Sequence, residues 1–290
     1  MSDTGTLLAE GKTKRIWSID GEPDMVLLEA KDDITAGDGA KHDVITNKAE
    51  WATITTCNVF GLLKALKKPL PVAFVEQRNE RIFKAKRCTM LPFEVVIRRA
   101  AYGSYLKRHP EVEKGKEFYD LKYEFFLKTT DHRFKHHAFT VDDPMLIYNK
   151  GRGGWAYIYD PTKSFTDSEA FLTSVAMSDV VDGSLTINEV GDDMSMLFFL
   201  MKEYASQAFI IIEEAWKKLG GTLVDYKVEF GVDSEGNLLL ADVIDNDSWR
   251  LFLDGAHADK QRYRDGASLE DVGAHYARVA GLTTRFVHSN

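Results

Sequence analysis

Only two cysteines occur in 290 residues, Cys57 and Cys88. That is too few for a disulfide framework and leaves no paired-cysteine zinc pattern, so the chain suits a reducing compartment. The N-terminus, MSDTGTLLAEGK, lacks a basic start followed by an apolar block, so no signal peptide is expected. Positive charge is in deficit: 37 Lys and Arg against 45 Asp and Glu leave a net −8. That balance argues against a broad nucleic-acid surface, although a small phosphate site can still be locally basic. The most apolar long segment, near 196–216, carries Lys202, Glu203, Gln207, Glu213 and Glu214, which argues against a membrane span. The expectation is a cytoplasmic enzyme with neither a membrane nor a nucleic acid as partner.

The chain is long enough for a sizeable core and two lobes. No internal repeat or low-complexity tract interrupts it. LLAEGKTKRIWSI and MVLLEA read as a hairpin over 7–31, turned at GEPD. AEWATITTCNVFGLLKAL has helical spacing and takes Cys57 into a core. PVAFVEQ and RIFKAK form a second hairpin around Arg78-Asn79-Glu80, and FEVVIRRAAY is another strand. Residues 128–165 are polar and poorly periodic, the signature of a long lid or insertion. The chain then reads as helical from 166 to 220. Its strongest helix runs from Met194 to Leu219, apolar nearly all round and so expected to be buried, and stops at Gly220-Gly221. TLVDYKVEF and NLLLADVI make a third hairpin, and S-L-E-D at Ser268 caps a last helix.

Four segments carry chemistry. In VDYKVEF, Asp225, Lys227 and Glu229 alternate with apolar residues, which predicts one charged and one apolar face. If the hairpin is centred on GVDSEGN, Glu229 lies opposite Asp242. Two facing carboxylates repel. Either they hold a hard cation such as Mg²⁺ beside a nucleotide, or they form a salt-bridge face around Lys227. Just beyond lie Asp245, Asp247 and Arg250. Gly11, with Lys12, Lys14 and Arg15, can lay backbone and ammonium groups on a polyphosphate, or be a plain charged turn; it is not a Walker loop. Arg98-Arg99-Ala-Ala-Tyr-Gly103-Ser104, ending a strand and entering a short helix, offers cations and N–H groups to an anion, or is a solvated basic surface. The tract Asp131-His-Arg-Phe-Lys-His136-His137 is rich in histidine, but the carboxylates and cysteines of a usual transition-metal site are not arranged around it, so no metal is expected there.

Taken in order, EGKTKR, KDDITAGDGAK, RRAAYGSYLKR, VDYKVEFG and ADVIDNDSWRLF resemble the SAICAR synthetase family over residues 7–265. The wording ADVIDNDSWRLF is most like the synthetase half of the animal-type bifunctional enzyme, whose carboxylase half is expected to be absent. The resemblance implies an α+β fold related to kinase and ATP-grasp scaffolds. An antiparallel β-rich nucleotide lobe over 1–92 would join a larger α/β lobe over 93–290 carrying the substrate and metal residues. It implies ligation of the nucleotide CAIR with L-aspartate to give SAICAR, ADP and phosphate, through an acyl phosphate, with ATP and Mg²⁺ as cofactors. The rivals are another ATP-dependent small-molecule kinase or ligase on the same scaffold, and a silent nucleotide-binding module. A homo-oligomer fits any of these.

By the same resemblance, Gly11, Lys12 and Lys14 contact ATP phosphates, Met90 and Leu91 form the adenine hinge, and Lys227 lies near the ribose. Glu229 and Asp242 ligate Mg²⁺. Arg98, Arg99, Ser104, Lys128, Asp38, Asp143 and Arg250 face the substrates, and Lys227, Asp242 and Arg250 carry the chemistry. Three departures stand out, one of them a path from Lys128 to the Asp-Pro pair, matched to Asp143-Pro144, that is longer and richer in histidine than usual. Arg98 and Arg99 are adjacent where many members place a residue between them, which leaves open the arginine that touches substrate. Val243 stands where many members have glutamate, which removes one possible ligand.

Overall fold

The computed structural model describes residues 4–37, 39–149, 151, 153–191 and 193–286. Compactness divides the chain into two units. One comprises 1–89, 210–223 and 241–290; the other comprises 90–209 and 224–240.

The first unit contains a five-stranded antiparallel sheet in the order Thr4–Glu10, Lys14–Ile19, Met25–Ala30, Ile82–Lys86, Phe74–Gln77. The segment expected to be one strand, LLAEGKTKRIWSI, is therefore two. The chain reverses at Gly11, whose N–H donates to Lys14 O at 2.9 Å. The hairpin around Arg78–Glu80 is present as expected. Helix Lys48–Lys64 packs on helix Leu269–Thr283, and Gly273 permits the close approach: a Cβ there would stand 3.1 Å from Ile45 and 3.4 Å from Trp51. Beside them, Ile34, Ile45, Tyr263, Val272 and Tyr276 form a buried cluster. Ser268 caps the last helix by accepting from the Asp271 N–H at 3.1 Å. Trp216 meets Trp249 and Phe286 edge-on, at centroid distances of 5.6 and 5.0 Å.

In the second unit the strands run Phe171–Ala176, Trp155–Tyr159, Met145–Asn149, Glu117–Leu127, Cys88–Ala100, Gly221–Asp233, with Leu238–Ala241 paired to Gly221–Asp233. Two expectations need correction here. The polar stretch 128–165 is not a structureless connection: it holds a small hairpin and the first two strands of a meander that widens the sheet. Nor is 166–193 chiefly helical, since Phe171–Ala176 is a strand and Met177–Val180 a single turn. Trp155, Tyr157 and Tyr159, alternating with Ala156 and Ile158, match a pleated surface, and the sheet supplies the backbone partners that local pattern could not reveal. Phe198 anchors this unit against Phe93, Phe125 and Tyr148, with centroids 4.9–5.3 Å away.

The long helix is Met194–Lys218, followed by Gly220 at φ 77°. By length and composition it could cross a membrane. However, Leu197, Met201, Ala205, Ala208, Phe209, Ile212 and Trp216 form a fully buried stripe, the pattern of a core helix. It is not buried all round as expected, because Met196, Phe199 and Ile210 are exposed.

Candidate functional site

The expected charged face of VDYKVEF exists, but it lies inside the protein. Asp225 and Glu229 are 7% and 4% exposed, and Val224, Tyr226, Val228 and Phe230 on the other face are buried as well. Charges at such positions require partners. Lys227 Nζ donates to Glu94 Oε1 at 2.9 Å and to Glu229 Oε1 at 2.8 Å, while Lys128 donates to Glu229 Oε2. Burial alone would lower the Lys227 pKa; the Glu94 and Glu229 carboxylates outweigh it and raise it. The two carboxylates thus favour the charged form of Lys227.

A second network lies one turn of the pleat away. Arg98 donates from Nε to Glu124 Oε2 at 2.7 Å, from Nη1 to Asp225 Oδ2 at 2.8 Å, and from Nη2 to Ser104 Oγ at 3.3 Å. Arg108, fully buried, donates to Glu124 Oε1. Gly103, at φ 57°, turns the strand into helix Ser104–Arg108, and that turn delivers the Ser104 hydroxyl to Arg98. Arg99, next along the strand, points to the opposite face and reaches Phe118 O at 3.5 Å.

In the first unit, Asp242 follows the last strand residue, Ala241, instead of lying within the ladder opposite Glu229 as the hairpin reading expected. It adopts φ 61°, rare for a residue other than glycine, and accepts from Lys14. Lys12, exposed in the Gly11 turn, runs beside Gly39. Asp38 lies outside the described residues. Met90 is 43% exposed and Leu91 is buried; the boundary between compact units falls between Thr89 and Met90. Asp143, at φ 43°, accepts from the Thr129 N–H at 2.8 Å, just after Lys128. Arg250 lies half-buried on strand Trp249–Leu253.

Sequence reasoning did not single out Lys48. Its side chain is almost fully buried, and its Nζ lies 3.2 Å from Asp247 Oδ2. Lys260 lies 3.5 Å from the same oxygen, and Tyr276 donates to Asp247 Oδ1. Burial would raise the Asp247 pKa, but Lys48, Lys260 and Tyr276 hold it well below the carboxylate range. Asp245, buried beside it, is pushed up by burial first and by the Asp247 charge second. Lys14, Lys48, Thr53, Thr56, Asp245 and Asp247 contribute to a pocket of about 440 Å³, open mouth included. The Thr53 and Thr56 hydroxyls are buried without hydrogen-bond partners among the described residues. A lysine at a helix start gives no sign in sequence that it will meet an aspartate 199 residues away.

Fixed cations, paired carboxylates and buried hydroxyls suit charged, phosphorylated ligands. The sequence model of the SAICAR synthetase family matches residues 7–139 and 184–281, leaving 140–183 unmatched. A phosphoribosylaminoimidazole-succinocarboxamide synthase of Chloroflexus aurantiacus is 39% identical over 98% of both chains. A probable multifunctional protein of Caenorhabditis elegans is 36% identical over 97% of this chain and 58% of its own length. The expected likeness to an animal multifunctional enzyme is present, but at 36% identity it is weaker than the 39% of the bacterial relative, so the expectation that the animal type is the nearer one is corrected. Among solved structures, the Ehrlichia chaffeensis synthase superposes with a TM-score of 0.72 and 25% identity, over 96% of this chain and 98% of that one.

Proposed function

The chain belongs to the SAICAR synthetase family, and from that we infer that it is an ATP-dependent carbon–nitrogen ligase of purine biosynthesis. It joins CAIR and L-aspartate to give SAICAR, ADP and phosphate. The observation that carries the reading at residue level is the lysine pairing of both proposed metal carboxylates: Lys14 on Asp242, and Lys128 with Lys227 on Glu229.

The roles follow from charge and position. Lys12, Lys14 and the Gly11 turn neutralise the ATP phosphates, and Met90 and Leu91 offer backbone groups to adenine. Arg98, Arg99, Ser104, Lys128, Asp38, Asp143 and Arg250 are assigned to CAIR and aspartate. With the Glu124 and Asp225 carboxylates on its guanidinium, Arg98 acts by positioning Ser104, and Arg99, half-buried on the opposite face of the strand, is assigned to substrate contact. Glu229 and Asp242 offer only oxygen donors, the set magnesium takes, and would hold it. A bound magnesium ion supplies charge neutralisation on the phosphates.

The step order is that of an acyl phosphate. A CAIR carboxylate oxygen attacks the γ-phosphorus as the bond to ADP breaks; the aspartate amine then attacks the acyl carbon and phosphate leaves with that oxygen. The cations of this chain lower the charge that builds on the transferring phosphoryl group. Residues 1–92 supply the phosphate turn and Asp38, and 93–290 the other substrate residues and the metal residues, although Asp242 and Arg250 fall by compactness in the unit containing that turn. A cytoplasmic location and a homo-oligomeric state complete the proposal.

The test is ADP release from ATP with CAIR, with and without L-aspartate. Sustained release that requires aspartate, with SAICAR formed in equal amount, is the expected outcome. Steady turnover of CAIR without aspartate would instead identify a kinase on the same scaffold.

A further inference from the structure

In sequence no carboxylate stands beside His136 and His137 at metal-ligand spacing; the tertiary structure brings Asp179 to them. Arg133–Phe134 and His137–Ala138 pair as a tight hairpin with Phe134 opposite His137, and Lys135 takes φ 51° in the two-residue turn. The turn sets the His136 and His137 rings side by side, with centroids 4.0 Å apart. Phe139 stacks near the His137 ring. Asp179, on the single turn Met177–Val180, places Oδ2 3.8 Å from His137 Nε2. One ligand atom from each of the three residues lies within 4.8 Å of the others. His137 Nε2 is also buried with no hydrogen-bond partner among the described residues, which is an unsatisfied polar atom aimed into the cluster.

We propose that His136, His137 and Asp179 bind a divalent transition-metal ion of the zinc class, with water completing the shell. Two imidazoles and a carboxylate are the donors such ions take, whereas magnesium prefers oxygen alone. Tetrahedral donors about 2.0–2.1 Å from an ion stand roughly 3.4 Å from one another. The His137–Asp179 separation therefore has only a few tenths of an ångström to close. Burial, then the neighbouring His136, holds His137 below the ordinary histidine value, against the pull of Asp179; the neutral ring is the ligating form. Lys135 opposes a cation here, and the Asp179 carboxylate offsets it.

The ligands come from both sides of the three-stranded meander, Asp179 from the segment that the family model leaves unmatched. Bound metal would tie the small hairpin to the turn after the meander. None of the three residues has a role in the proposed ligase chemistry, so the two proposals fail separately.

The experiment uses the full chain, stripped with chelator, titrated with Zn²⁺ against a chromophoric zinc indicator and, separately, loaded with Co²⁺ for its visible spectrum. Expected are one tight equivalent, a Co²⁺ spectrum of low coordination number, and a melting temperature raised by Zn²⁺. His137→Ala and Asp179→Asn should each weaken that equivalent by at least about tenfold and abolish the thermal shift, with aspartate-dependent ADP release unchanged. Asp179 is 41% exposed, so its variant keeps the test intact if His137→Ala misfolds. Absence of a tight equivalent, or variants that bind Zn²⁺ as the wild type does with an unaltered Co²⁺ spectrum, would overturn the site.

Discussion

Lys14 and Asp242 stand 228 residues apart in the chain, yet the lysine ammonium donates directly to Asp242 Oδ1. Asp242 reaches that contact from a left-handed backbone, one residue beyond the end of a strand. Aspartate tolerates such a conformation better than most residues, but at a cost. A strained carboxylate held by a cation is the kind of feature that persists where position matters more than stability.

Asp242→Asn keeps the side-chain shape and removes the charge that a metal requires. Turnover is expected to fall by on the order of a hundredfold or more, about 3 kcal/mol of transition-state stabilisation. The melting temperature should move by only a few degrees. Steady-state kinetics beside a thermal melt decide it: near-normal kcat would take the metal role away from Asp242.

Arg98→Leu removes a cation that bonds both Glu124 and Asp225, so that each of these buried carboxylates loses one charged contact, while Glu124 keeps Arg108. The expected loss is about 3–5 kcal/mol in urea denaturation. Arg99→Leu, at a half-buried position on the opposite face, should cost under about 1 kcal/mol while raising the KM for CAIR. Equal destabilisation by both variants would contradict the assignment.

Glu124 supplies a pH test. Burial would raise its pKa, but Arg98 and Arg108 hold it below the ordinary 4.5. A lowered folded value means the stabilisation is complete above the unfolded pKa and is lost as pH falls through the folded one. The stability gap between wild type and Glu124→Gln should therefore be flat from neutrality down to about pH 5 and narrow in stronger acid. Denaturation curves along that series check it, and a gap that widens in acid would reverse the sign.

Arg250→Ala is expected to raise the KM for a substrate anion by roughly tenfold or more, the scale of one charge-assisted hydrogen bond, with little change in the KM for ATP. Parallel loss for both ligands would place Arg250 elsewhere.

Burial pushes the Cys57 thiol up to about 12, so almost no thiolate exists near neutrality. Native protein should be alkylated at Cys88 first, with Cys57 reacting only after denaturation. Peptide mapping of iodoacetamide-treated protein reads this directly, and rapid native labelling of Cys57 would show that its helix opens.

Several elements were legible because their causes are local. Gly220 ends the long helix, Ser268 caps the last one, and Arg78–Glu80 turns a hairpin; each depends on residues a few positions apart. The same holds for the ordered motifs around Lys14, Arg98, Glu229 and Asp242, which carry the family resemblance. By contrast, LLAEGKTKRIWSI concealed a strand break, because Gly11 is compatible with either a turn or a continuous strand. The meander over 145–176 was hidden because its pairing partners, such as Phe125 and Phe126 for Leu146 and Met145, lie on a distant strand.

By itself, then, the sequence determined the chemistry available: which cations and carboxylates the chain owns, in what order, and on which local turns. Only the tertiary structure decided which of them meet. The pairing of Lys48 with Asp247, the burial of the whole Asp225–Glu229 face, the turn of Asp242 onto Lys14 and the approach of Asp179 to His137 all bring together residues remote in sequence, Asp225 and Glu229 with Arg98 and Lys128. An ion pair of this kind depends on distance and desolvation, and neither quantity is written into local residue order.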